Sequence, residues 1–180
     1  MIRDTDPDLL DKYYNGIGKV AAAVGQLEEA VIQFTAILCD PPQKPLVIHK
    51  KMLLRGMAKN LLTFRKRVSS KASESNYKKL EPLLDRAAEL NKTRNEIVHA
   101  VWSKMVDANS GETVGVARSR YVFDKNLLEA KWDVKTPNLA EVLKTADDVF
   151  ALVAEIEKWF QRVWDTDDRI VEWRMAKNSN

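Results

Sequence analysis

Residues 76–101, NYKKLEPLLDRAAELNKTRNEIVHAV, carry the pattern on which the fold turns. Leu80, Leu83, Leu84, Ala87, Leu90, Ile97, Val98 and Val101 recur at three- and four-residue spacing, which predicts one long amphipathic helix. At about 100° per residue, Arg94 falls in the middle of that apolar stripe, Asn91 and Asn95 on its edge, and His99 on a flank one turn past Asn95. A charge on an apolar stripe is costly unless it is paired and hydrogen-bonded. Arg94 is therefore the residue that asks for an explanation.

Working outward, residues 17–38 predict another helix, with Ile17, Val20, Ala21, Val24, Leu27, Val31, Phe34 and Leu38 inward and Asp40-Pro41-Pro42 ending it. Glu28 sits among Val24, Leu27 and Val31. Its charge complements that of Arg94, so the first and third helices are expected to pack with these two side chains in contact. Between them a second helix is expected from Pro45 to Val68, with Lys51, Arg55 and Lys59 as a basic stripe and Arg65-Lys66-Arg67 near its end. Ser69 to Asn76 reads as a polar linker, with Ser73 or Ser75 as the next N-cap. Past Val101 the period changes to two. Val101–Val106, Thr113–Phe123 and Glu129–Lys135 read as strands, and Asn109-Ser110-Gly111 as a turn. After Pro137 the helical period returns over 138–164, and Asp165-Thr166-Asp167 caps a short last helix. The expected fold is mainly α: an up-and-down bundle of four main helices plus a short C-terminal one, in a single domain 1–180 with 102–136 as a small antiparallel β insertion.

The 180 residues are 45% apolar and 31% charged, with six Gly and six Pro, which suits one globular core and excludes disordered or fibrous classes. The acidic start, with Asp4, Asp6, Asp8 and Asp11, is unlike the basic n-region of a signal peptide. No apolar run approaches the roughly 18 residues of a membrane span. Cys39 stands alone, so neither a disulfide nor a zinc set is expected, and the chain reads as cytoplasmic, with no cofactor, no metal and no membrane partner. The net charge of +3 hides an asymmetry: residues 44–79 hold eleven Lys or Arg against Glu74 alone, a net +10, and the rest of the chain is −7. That block is the footprint of a phosphate-binding surface, so Lys51, Arg55, Lys59, Arg65, Lys66 and Arg67 are candidate nucleic-acid contacts.

The string Arg94-Asn95-Glu96-Ile97-Val98-His99, on a helix of a small bundle, resembles the R-N-x-x-x-H motif of the HEPN superfamily (higher eukaryotes and prokaryotes nucleotide-binding domains). The resemblance covers about 17–101 and 138–164. It implies a metal-independent endoribonuclease of toxin–antitoxin or antiphage defence settings, acting on RNA as a homodimer with both motifs lining one cleft. By the same resemblance Arg94, Asn95 and His99 are catalytic, and Glu28 is their acidic companion from the first helix. HEPN toxins controlled by small nucleotidyltransferase antitoxins extend the motif to R-x4-H-x-Y. Here Val101 stands where that tyrosine would, so an antitoxin of that kind is not expected, and the protein partner or antitoxin that the resemblance allows would be of another kind.

The residue types suit the chemistry. Cleavage without a metal needs a proton carrier near neutral pH and a cation over the phosphorane, roles that fit His and a planar Arg. Asn95, four residues before His99, is placed to fix the imidazole or to meet a phosphate. Arg94 and His99 lie about 140° apart around an ideal helix, so either the arginine turns or two copies complete the site. The alternative is a non-catalytic HEPN-like module binding nucleic acid or protein, with Arg94 and Glu28 a structural pair and His99 a carbonyl cap. His49 is assigned no role, the five tryptophans read as packing anchors, and Arg118 and Arg120 read as a solvated strand face.

Overall fold

The computed structural model describes residues 8–38, 47, 51–52, 56–124 and 129–178. Among them run helices α1 (Leu9–Ile37), α2 (Met57–Lys71) and α3 (Glu74–Val98), strands β1 (Val101–Val106), β2 (Thr113–Asp124) and β3 (Glu129–Lys135), then α4 (Leu139–Thr166) and α5 (Asp168–Asn178). The protein is mainly helical, with one three-stranded antiparallel sheet in the order β1-β2-β3. The chain divides into two compact units, one built from residues up to Ala22 with Lys92–Asp147, the other from Ala23–Asn91 with Asp148–Asn180.

In the first unit, α1 begins eight residues before the expected Ile17. Leu9, Tyr13, Gly16 and Val20 are buried at i, i+3 and i+4 spacing, so the inward stripe passes through a tyrosine and a glycine. Tyr13 stacks obliquely on Trp102, with ring centroids 5.5 Å apart, and its hydroxyl donates to the Pro137 carbonyl at 2.6 Å. Gly16 allows close approach to α4, since a Cβ there would sit 3.2 Å from Val142 Cγ1. The meander forms over the strands expected from the alternation, with Trp102 opposite Arg118 and Arg120 opposite Asp133. Its first turn closes on Asp107, whose Oδ1 accepts from the NH groups of Asn109 and Ser110, while Gly111 takes φ 71°.

In the second unit, Leu27, Phe64, Leu80, Leu84, Leu152, Ile156 and Ile170 are all 1% exposed or less. Burying side chains of this size contributes about 1.5–3 kcal/mol each. Phe34 stacks on Phe160 at 4.0 Å, and Phe160 on Trp164 at 5.7 Å. By length and composition α1 is apolar enough to cross a membrane. Its Val24, Leu27 and Val31 are core residues of this unit. Trp132, in the first unit, departs from the packing role read for the tryptophans, being 58% exposed at the sheet edge, and Phe150 of α4, in the second, points outward at 38%.

The helix expected over 45–68 is interrupted. Gly56 takes φ 75° and ψ 153°, a region open essentially to glycine alone, and α2 starts after it. Nothing lies within 4 Å of a Cβ added there, so a side chain would bring only backbone strain. Gly56→Ala is expected to lower the unfolding free energy by about 1–3 kcal/mol, read from urea unfolding. An unchanged midpoint would show that the break is not fixed by this backbone geometry. α2 runs on to Lys71, so the expected linker shrinks to Ala72 and Ser73. Ser73 holds the N-cap position, its carbonyl accepting from Tyr77 NH at 2.9 Å.

Its side chain turns elsewhere, to Asp167. This carboxylate, 2% exposed, accepts at Oδ2 from Ser73 NH, the Ser73 hydroxyl and Asn76 Nδ2, all at 2.7–2.8 Å. Its Oδ1 accepts from Arg169 NH and Ile170 NH, which caps α5 as the sequence indicates. Asp167 thus ties the α2–α3 junction to the start of α5.

Candidate functional site

α3 ends at Val98 because the chain must leave it for β1. His99 still closes the last turn, its NH bonding Asn95 O at 3.3 Å, and Trp102 Nε1 locks the exit by donating to Ile97 O at 2.9 Å. The motif residues sit on this last turn. Arg94 is half-buried, whereas Asn95 and His99 are exposed.

The arginine turns. Arg94 leaves the stripe on which its Cα sits and swings its head toward His99, as long cationic side chains do at apolar surfaces. One nitrogen, Nη1, lies 2.9 Å from Asn95 Oδ1 and 2.9 Å from His99 Nε2. Its two hydrogens serve the two acceptors. Because a guanidinium only donates, the imidazole accepts at Nε2 and carries its proton on Nδ1. Asn95 therefore holds the arginine, not the imidazole. The three motif residues meet within one chain, so the 140° separation does not by itself require a second copy.

Glu28 lies in the other unit with a partner of its own. Its Oε1 accepts from Nδ2 of the fully buried Asn60 at 2.8 Å, and that nitrogen also donates to Met52 O. Both Glu28 and Arg94 are half-buried rather than enclosed. Among the described residues, Glu28 bonds Asn60 within its own unit, and Arg94 bonds Asn95 and His99 within its own. Asn60, a buried amide one turn into α2, was not distinguishable in sequence from any polar helix residue.

The basic block separates into paired and unpaired groups. Arg65 bonds Asp85 and approaches Glu81, and these acids raise its pKa, the Asp85 hydrogen bond contributing most. Lys51 and Lys59 are exposed but stand on either side of Gly56, so they are not one helical stripe; Arg55 lies outside the described residues. Lys59, Lys66 and Arg67 carry no ion pair among the described residues. Lys66 and Arg67 border a surface groove of about 500 Å³ with Leu62, Thr63 and Ser70, and Leu62 is 67% exposed.

Arg118 corrects the reading of a solvated strand face, being only 6% exposed. It and Arg120 converge on Glu96, the third residue of the motif string, at 3.4 and 3.5 Å. The signal was present: Arg118 shares its side of β2 with Val114 and Val116, and Val116 is 3% exposed. No protein-family model, curated protein or solved structure matches the chain, so the site is read from its own residues.

Proposed function

We propose that the protein is a metal-independent endoribonuclease of the HEPN type, working in a toxin or antiphage defence setting, with Arg94, Asn95 and His99 as its reacting set. The observation that carries the reading is the single Arg94 nitrogen shared between Asn95 and His99 on an exposed helix end. In the reaction, Arg94 moves from His99 to the phosphate and uncovers the Nε2 lone pair. His99 takes the proton of the 2′-OH, the 2′-oxygen attacks phosphorus, and Arg94 faces the developing charge. The P–O5′ bond breaks and the 5′-oxygen takes a proton from the imidazolium. Asn95 keeps the guanidinium within reach of both positions. The test is incubation of the protein with single-stranded RNA in EDTA across a dilution series. Cleavage that persists in EDTA is the expected result, and a rate falling faster than protein concentration identifies the active species as a homodimer. No cleavage on any RNA defeats the reading.

The second reading, a nucleic-acid- or protein-binding module without catalysis, draws on a separate observation: Lys66 and Arg67 line the groove at Leu62 and, like Lys59 on the same helix, carry no ion pair among the described residues. If nucleic acid binds there, the triple change Lys59→Glu, Lys66→Glu, Arg67→Glu lowers affinity. It also flattens the log–log salt slope by about 0.7 for each phosphate no longer neutralised. A salt titration of single-stranded RNA binding checks this. Unchanged affinity assigns the face to a protein partner or to solvent.

A further inference from the structure

The last turn of α3 and strand β2 together carry more donors than acceptors. Arg118, only 6% exposed, is held by Nη1 to Glu96 Oε2 at a long 3.4 Å, and its buried Nε has no acceptor among the described residues. Arg120 reaches the other Glu96 oxygen at 3.5 Å and Asp133 Oδ2 at 3.3 Å, and Lys135 stands 3.8 Å from the same Asp133 oxygen. Among the described residues, Arg94 bonds only neutral partners, and its buried Nε also lacks an acceptor. Among the described residues, three cations thus share two carboxylates, and Arg94 has none. A buried guanidinium held by one stretched bond is poor structural economy, because a desolvated cation gains little from a distant partner.

The missing acceptors are those of a phosphate, whose oxygens match the guanidinium fork. The position fits as well. Glu96 lies three residues before His99, and side chains at that spacing are neighbours on a helix, so the arginines gathered on Glu96 stand beside the motif. We propose that Arg118 and Arg120 form a phosphate-anchoring subsite for single-stranded RNA, next to the phosphate attacked at His99. Glu96 occupies the two guanidinium groups until the RNA displaces it. The identity of the ligand as RNA rests on the nuclease reading; the surplus of donors does not.

A single-stranded 2′-O-methyl oligonucleotide, which has no attacking hydroxyl, reports binding separately from cleavage. Anisotropy titrations at several salt concentrations compare wild type with Arg120→Ala, Glu96→Gln and Arg118→Lys, with Tm as the folding control. Arg120→Ala is expected to weaken binding about tenfold and to lower the salt slope by about 0.7. Glu96→Gln strengthens binding several-fold by removing the competing carboxylate, a direction that a purely structural ion pair would not give. Arg118→Lys keeps the charge, loses the fork and binds more weakly. No binding by wild type, equal affinity for wild type and Arg120→Ala, or weaker binding by Glu96→Gln overturns the subsite. The expected binding pattern without cleavage of the all-ribose strand retains the subsite and removes the nuclease; cleavage with binding unmoved by Arg120→Ala does the reverse.

Discussion

On the proposed nuclease reading, His99→Ala is expected to lower the rate of RNA cleavage by about 10²–10⁴ through loss of proton transfer. The unfolding free energy stays within about 0.5 kcal/mol, because the side chain is exposed at a helix end. The separation of the two effects is the point of the prediction. Arg94→Ala is expected to lower the rate as well, since it removes the cation and the group bonded to both Asn95 and His99. Initial rates beside thermal melts make the comparison. A His99→Ala protein that cleaves at the wild-type rate would place the chemistry elsewhere.

Asp167→Ala should cost about 3–5 kcal/mol, because it strands five donors at a carboxylate that is 2% exposed. Burial alone would push this carboxyl's pKa up. The hydrogen bonds from Asn76, from the Ser73 hydroxyl and NH and from Ile170 NH outweigh it, and hold the pKa below the usual carboxylate value. The sign follows from linkage. A pKa depressed in the folded state gives stability that is complete above the unfolded value, near 4, and is lost as pH falls through the folded value. Asp167→Asn abolishes that acid-side loss while lowering stability at neutral pH. Urea midpoints at pH 7 and pH 3 for wild type and Asp167→Asn read both effects. An equal pH dependence in the two proteins would show that Asp167 is not the titrating tie.

The elements were legible in sequence where one physical signal dominated. The strands follow from alternation bounded by the Asp107–Gly111 turn, and α4 from an uninterrupted apolar stripe. The start of α1 escaped because its stripe runs through Tyr13 and Gly16, which an apolar template does not count. Gly56 read as helix interior because only its backbone angles, not its neighbours in sequence, mark the break. At the site, the motif turn was legible as residues but not as geometry. A helical projection fixes where Arg94 starts and says nothing of a side chain long enough to cross to the next face. The same limit hid the convergence of Arg118 and Arg120 on Glu96, which depends on register across a turn. It also hid the partner of Glu28, an amide 32 residues away.

The most direct test of the central claim is the chemical nature of the ends that the protein makes. A defined single-stranded RNA is cleaved in EDTA and the 5′ fragment is weighed by mass spectrometry, beside the same strand carrying one 2′-deoxy residue at the cleavage position. Attack by the 2′-OH under Arg94, Asn95 and His99 predicts a 2′,3′-cyclic phosphate end and no cleavage at the 2′-deoxy position. A 3′-hydroxyl end, or cleavage of the 2′-deoxy strand at the same place, would contradict it.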